Sequence, residues 1–281
     1  MKHPKTIEEI SAPWMTEVLR GAGILRRATV DAVNVRAIGQ GLGFLSGRAR
    51  VTLTYDQSEE GAPATVVVKL PATVKEAVDV AESTHAYERE IRFYREVAPR
   101  TPIRVPRMFA TIMEPADNVF ILVMEDLKGL TAGDQVIGMS RAQVLAAVQT
   151  IAPLHARWWN GDQRQALPWV PSVEQQLKML SLTPEVIRTA WPLFVESFGD
   201  SLPPGGRALG ERIIQHLDGI MAAFVNGTRT LVHFDYRADN LFIDDDLTRK
   251  APIVVVDWQC HDVGPGRLRC GPPGGRQYST G

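Results

Sequence analysis

The residues best able to do chemistry in this sequence lie in four places. Gly39-Gln40-Gly41-Leu42-Gly43-Phe44-Leu45-Ser46-Gly47 is a glycine-rich loop between two β-patterned runs. Lys69 stands near the end of the apolar run Thr65-Val66-Val67-Val68-Lys69-Leu70, and Glu90 lies in the helical segment Tyr87-Glu88-Arg89-Glu90-Ile91-Arg92-Phe93-Tyr94. The fourth place has two parts. His233-Phe234-Asp235-Tyr236-Arg237-Ala238-Asp239-Asn240 carries an Asp and an Asn five residues apart, and Val256-Asp257-Trp258 ends an apolar run 22 residues beyond Asp235.

In that order the set meets the demands of phosphoryl transfer. Glycines let backbone amides approach phosphates closely. A lysine neutralises the α- and β-phosphates, and a helix carboxylate holds that lysine in place. A carboxylate and an amide oxygen suit magnesium, and a further aspartate orients the acceptor hydroxyl and takes its proton. Each piece alone is weak: a glycine cluster is usually a loop, a strand-end lysine is ordinary, and Glu88 rivals Glu90. The GxGxG spacing is not the dinucleotide GxGxxG, no helix follows it, and a GxxxxGK[ST] loop is absent. The joint order carries the reading. His155, the Trp158-Trp159 pair and His233 read as structural, Asp239 and Asp262 as loop acids, and Cys260 as a bystander.

These residues require particular elements to position them. Apolar positions at helical spacing over 6–27 (Ile7, Ile10, Trp14, Val18, Leu19) predict a first helix. Alternation over 30–56 predicts two strands, and 65–70 a third. A charged amphipathic helix over 80–98 and strands near 107–114 and 119–125 complete a small antiparallel sheet. Beyond residue 127 the pattern turns helical (144–159, 173–180, 211–225), broken by Pro168, Pro171, Pro192 and Pro203-Pro204. Short β-runs return at 231–232, 241–243 and 253–256. Residues 264–281 hold six Gly and three Pro, which predicts an irregular tail.

Composition narrows the function class. With 31 Lys plus Arg against 32 Asp plus Glu in 281 residues, the chain is not a globally basic nucleic-acid binder. Two cysteines and no CxxC give neither a disulfide framework nor a zinc site. No secretory h-region follows the N-terminal charges and no run approaches 18 apolar residues, so the expectation is a cytoplasmic protein without a membrane span.

The chain resembles the kinase-like small-molecule phosphotransferases, the aminoglycoside phosphotransferase and ecdysteroid-kinase-like group. The resemblance rests on Val68-Lys69-Leu70-Pro71, the Tyr87–Tyr94 segment, Met124-Glu125-Asp126-Leu127, Leu154-His155-Ala156-Arg157-Trp158-Trp159, Leu231 to Asn240, Val255-Val256-Asp257-Trp258-Gln259 and Gly264-Pro265-Gly266. It implies an α+β, bilobal protein-kinase-like fold: a nucleotide-binding lobe over 1–126, a mainly helical catalytic and acceptor-binding lobe over 127–266, and a tail over 267–281. It further implies an ATP- and Mg2+-dependent O-phosphotransferase. Lys69, paired with Glu90, would bind the ATP phosphates beneath Gly39, Gly41 and Gly43. The backbone of Met124, Glu125 and Asp126 would hold adenine, Asp235 would be the base, and Asn240 and Asp257 the metal ligands. A protein kinase fits less well, for HRD, DFG and APE are absent.

Residues 128–232 hold eight acidic and nine basic residues, where a polycationic acceptor would favour a carboxylate surplus. The expected acceptor is a small neutral or apolar hydroxylated molecule. Phe234 replaces the family's glycine, and 267–281 departs from its continuation. The expectation there is an incomplete C-terminal lobe, with a non-catalytic nucleotide-binding fragment as the alternative.

Overall fold

The computed structural model describes residues 2–39, 46–117, 119–160, 166–179, 182–226 and 228–265. The chain falls into two compact units, one of Met1–Arg157 with His233–His261, the other of Trp158–Val232 with the segment from Asp262. The expected irregular tail lies outside the described residues.

The first unit is built on a five-stranded antiparallel sheet of β1 (Val30–Ala37), β2 (Ser46–Tyr55), β3 (Thr65–Pro71), β4 (Met108–Glu114) and β5 (Val119–Glu125), in the order β1-β2-β3-β5-β4. Period-two alternation gives it a dry face: Ala49, Val51 and Leu53 of β2, Val66, Val68 and Leu70 of β3, and Val119, Ile121 and Val123 of β5 join one core. Helix α1 (Ala12–Gly21) covers that face with Trp14, Met15, Val18 and Leu19. Burying each large apolar side chain contributes about 1.5–3 kcal/mol relative to exposure. The helix is shorter than its 6–27 apolar pattern. Ser11 caps it by accepting the Trp14 N–H, Pro13 sits in its first turn, and the chain turns away at Gly23, whose φ is 69°.

The pattern predicted as one helix over 80–98 is two. Helix α2 (Lys75–Ser83) and α3 (Ala86–Arg92) are separated where Thr84 Oγ1 donates back to the Val80 carbonyl at 2.7 Å and His85 takes a φ of 52°. A threonine hydroxyl that engages the preceding turn favours such an ending. Helix α3 continues through a π-helical turn, Phe93–Val97. The first unit also holds β6 (Thr131–Ala132), the helix α4 (Arg141–Arg157), and β8 (Leu241–Ile243) and β9 (Ile253–Val255), which form a sheet of order β6-β8-β9. Helix α4 opens with a reciprocal cap, Gln143 N–H to Ser140 Oγ and Ser140 N–H to Gln143 Oε1.

The second unit carries α5 (Val173–Met179), α6 (Pro184–Phe198), α7 (Gly206–Gln215) and α8 (Leu217–Val225), with β7 (Arg229–Val232) paired to β10 (Asp262–Pro265). Pro192, expected as a break, lies inside α6, while the single helix expected over 211–225 divides at His216. Gly210 is required by packing, because a Cβ there would lie 2.0 Å from the Trp191 ring. The fold is α+β, with an antiparallel sheet and helical parts, as the resemblance implies. Among the described residues no helix is long and apolar enough to cross a membrane.

Candidate functional site

The sheet face opposite α1 forms the floor of a cleft within the first unit. Register sets its rows. Arg48 of β2, Lys69 of β3 and Leu122 of β5 are cross-strand partners, and Arg50, Val67 and Met124 form the next row. Alternation that sends Val66, Val68 and Leu70 into the core therefore sends Val67 and Lys69 to the cleft.

Lys69 is the centre of the site. Its Nζ lies 2.7 Å from Glu90 Oε2 and 2.9 Å from Asp257 Oδ1, with side-chain exposures of 8%, 3% and 12%. Helix α3 supplies Glu90; Glu88, its sequence rival, reaches Arg92 instead. Burial pushes the Glu90 carboxyl up, although Lys69 opposes it. Burial would raise Asp257 too, but the attraction of Lys69 and their hydrogen bond outweigh it and hold this carboxyl low. Burial disfavours the Lys69 ammonium, yet the Asp257 and Glu90 charges raise its pKa. The three groups form one charged cluster of net −1.

The loop 233–240 is fixed from several sides. His233 Nε2 donates to the Val256 carbonyl at 2.9 Å, and its Nδ1 accepts the Asp235 N–H. Burial lowers the His233 pKa and keeps the ring neutral, in line with a supporting role. Tyr236 Oη donates to the Ala147 carbonyl of α4. Asn240 Nδ2 donates both to the Asp235 carbonyl and to Asp235 Oδ2, each at 2.9 Å. Both neighbours are acceptors, so the amide nitrogen must face them, which leaves Oδ1 as the amide's acceptor oxygen. Arg237 Nε holds the Asp235 carboxylate at 3.2 Å, and Arg237 Nη1 binds Asp239 and Gln135.

Pairing of β8 with β9 then brings the second part alongside. Leu241 faces Val255, and the Val256 N–H donates to the Asn240 carbonyl, so Asn240 and Asp257 flank one junction. Asp257 has a φ of 65° and Phe234 one of 67°. The second value explains why glycine suits position 234, since the left-handed region costs a side-chain-bearing residue about 1–2 kcal/mol. Trp258 locks the turn: it is fully buried, stacks on Phe93 at 3.9 Å and donates Nε1–H to the Val255 carbonyl. Burial pushes the Cys260 thiol up to about 11, which leaves it inert at neutral pH.

Met124, Glu125 and Asp126 line the same cleft. The Glu125 N–H is already donated to the Arg107 carbonyl, and the Asp126 carboxylate is gripped by both arms of Arg50 at 2.8 and 3.0 Å. Gly39 is described, with a φ of 65° that glycine adopts without strain; Gly41 and Gly43 lie outside the described residues. Lys69, Glu90, Asp257 and Met124–Asp126 thus share one cleft, and Asp235 and Asn240 adjoin Asp257 through the loop. The sequence reading passed over Arg48, Arg50 and Arg237. The two β2 arginines were legible in the alternation Arg48-Ala49-Arg50-Val51, which puts both opposite the apolar face.

Among the described residues no three His, Cys, Asp or Glu side chains cluster as a ready-made metal site. The expected ligands Asn240 and Asp257 offer one amide oxygen and one carboxylate, hard donors of the type magnesium takes when phosphate oxygens and water complete its shell.

The sequence model of the phosphotransferase enzyme family matches residues 49–266. No curated protein sequence matches the chain significantly. Among solved structures, a point mutant of aminoglycoside 2'-phosphotransferase-IIIa in complex with GDP is 16% identical, with a TM-score of 0.54 over 90% of this chain and 73% of that one. The GDP and kanamycin complex of APH(2")-IIIa is 15% identical with a TM-score of 0.53, covering 90% and 74%. The wild-type GDP complex is 14% identical at 0.50, again over 90% and 74%. At these identities the likeness is one of fold.

Proposed function

The chain belongs to the phosphotransferase enzyme family, whose members transfer a phosphoryl group to a hydroxyl, and on that premise we propose that it uses ATP and Mg2+ to phosphorylate a small neutral or apolar alcohol. The observation that carries this reading is the ammonium of Lys69 held between the carboxylates of Glu90 and Asp257 at 2.7 and 2.9 Å. A buried lysine fixed in this way beside a cleft is an anion receptor whose orientation costs nothing further when the ligand arrives.

In this reading Lys69 neutralises the α- and β-phosphates, and Glu90 keeps it aimed. Gly39, Gly41 and Gly43 cover the phosphates. Backbone groups of Met124, Glu125 and Asp126 hold adenine; since the Glu125 N–H is engaged, the contact falls to the others. Asn240 Oδ1 and the Asp257 carboxylate hold the metal, which when bound offsets the negative charge of the phosphate oxygens. Asp235 accepts the proton of the acceptor hydroxyl as that oxygen bonds to the γ-phosphorus, and the bond to the β–γ bridging oxygen breaks to release ADP. Arg237 and Asn240 fix the Asp235 carboxylate for that step.

One feature supports an uncharged acceptor: residues 128–232 are close to charge balance.

Mg-ATP at 100 times its dissociation constant should stabilise the protein by about 2.7 kcal/mol, roughly 5–10 °C in melting temperature, and Asp257→Ala should remove that shift. Asp235→Asn should keep the shift but lower turnover about 10²–10⁴-fold on any acceptor found by screening neutral alcohols for ADP release. Turnover near wild type in that variant would overturn the assignment of the base.

A further inference from the structure

Arg48 stands directly across from Lys69 in the β2–β3 register, on the face that lines the cleft. Like charges opposed across a strand pair repel, so the placement needs anions nearby. Three cations and four carboxylates line this cleft: Arg48, Arg50 and Lys69, with Glu90, Glu125, Asp126 and Asp257. The Glu125 carboxylate accepts the Arg107 N–H. Asp126 is bound by both arms of Arg50, while Glu90 and Asp257 are both engaged by Lys69. Among the described residues no carboxylate lies within ion-pair distance of the Arg48 guanidinium. Its field does reach the cluster, where it favours the ionised forms of Glu90 and Asp257. Lys69 is the phosphate-binding cation of the proposed function, but one ammonium shared with two carboxylates does not by itself balance a polyphosphate, which leaves room for a second cation beside it.

We propose that Arg48 is a second phosphate-binding cation of this cleft, which takes an oxyanion of the donor nucleotide alongside Lys69. A guanidinium presents a planar fork that pairs with two phosphate oxygens, and it keeps its charge at every relevant pH. Arg48 is half-buried and stands on β2, an interior strand of the sheet. The inference rests on the proposed nucleotide site and adds to it a residue that acts on the phosphates and not on the base.

Titration calorimetry with Mg-ATP, Mg-ADP and adenosine on wild type, Arg48→Gln and Arg48→Lys tests it. Removal of one charge-assisted contact should weaken Mg-ATP and Mg-ADP about 10–100-fold in Arg48→Gln, with adenosine unchanged. Arg48→Lys should recover part of the loss, and the unchanged adenosine affinity reports that each variant is folded. If wild type binds Mg-ATP and Arg48→Gln binds it equally well, the role of Arg48 is refuted and the nucleotide site stands. An equal loss of adenosine affinity would also refute it, because the residue would then act on cleft shape. If wild type binds none of the three ligands, the nucleotide reading itself falls, and Arg48 with it.

Discussion

Replacement of Lys69 by methionine tests the charge cluster directly. The substitution keeps most of the side-chain volume and deletes the ammonium. At an effective dielectric constant of about 20, unit charges 2.7 and 2.9 Å apart attract by roughly 6 kcal/mol each. Desolvation of several kcal/mol per ion offsets most of that, so the intact cluster contributes little net stability. Deletion of the cation is different, because it leaves two carboxylates, 3% and 12% exposed, without their partner. Removal of one member of a buried ion pair costs about 3–5 kcal/mol. The cost should depend on pH. Burial already raises the Glu90 pKa, and loss of Lys69 raises it further. A group whose folded pKa lies above its unfolded value contributes stability below the unfolded value, 4.5, and loses it as pH rises through the folded one. Lys69→Met should therefore be destabilised by about 3–5 kcal/mol at pH 8 and by clearly less at pH 5, closer to the range in which protonation of Glu90 removes one of the two buried charges. Urea denaturation at both values, read as midpoint and slope, measures this. Lys69→Met/Glu90→Gln should be flatter across the same range. A loss below about 1 kcal/mol, or one that is the same at both pH values, would refute the argument that Lys69 compensates two buried carboxylates.

Two further outcomes follow from the loop. His233 and His261 are both buried, and burial holds their pKa values below the ordinary 6.5. Stability contributed by a depressed pKa is present above the unfolded value and lost as pH falls, so the protein should weaken from pH 6.5 downward by up to about 1.4 kcal/mol per pH unit for each ring. A urea midpoint that is constant from pH 7 to 5 would contradict this. Phe234→Gly should be tolerated within about 1 kcal/mol, because relief of the left-handed conformation offsets the extra freedom of glycine in the unfolded chain. Phe234→Ile should lose about 1–2 kcal/mol in a thermal melt, since a β-branched residue is poorly accommodated at a φ of 67°. The opposite order of the two variants would show that position 234 is not left-handed.

Much of the site was legible in the sequence, and for a local reason. Strand alternation in Thr65–Leu70, the apolar run ending at Asp257 and the spacing from His233 to Asn240 are short-range patterns, and they determine which side chains share a face of the sheet or a turn of the loop. The sheet order, the second rank of arginines and the orientation of Asn240 were not legible, because each depends on a partner far along the chain. Lys69 meets Asp257 across 188 positions, and Arg50 meets Asp126 across 76. The helix breaks at His85 and His216 escaped the periodicity because apolar spacing continues through both. Pro192, by contrast, signalled a break that the fold does not make. The sequence by itself determined that a lysine, two aspartates, an asparagine and a glutamate of the right types stand in a workable order. Only the tertiary structure decided which carboxylate holds the lysine and which cation stays uncommitted, since charge pairing depends on distance in space and on burial, and neither is a local property of the chain.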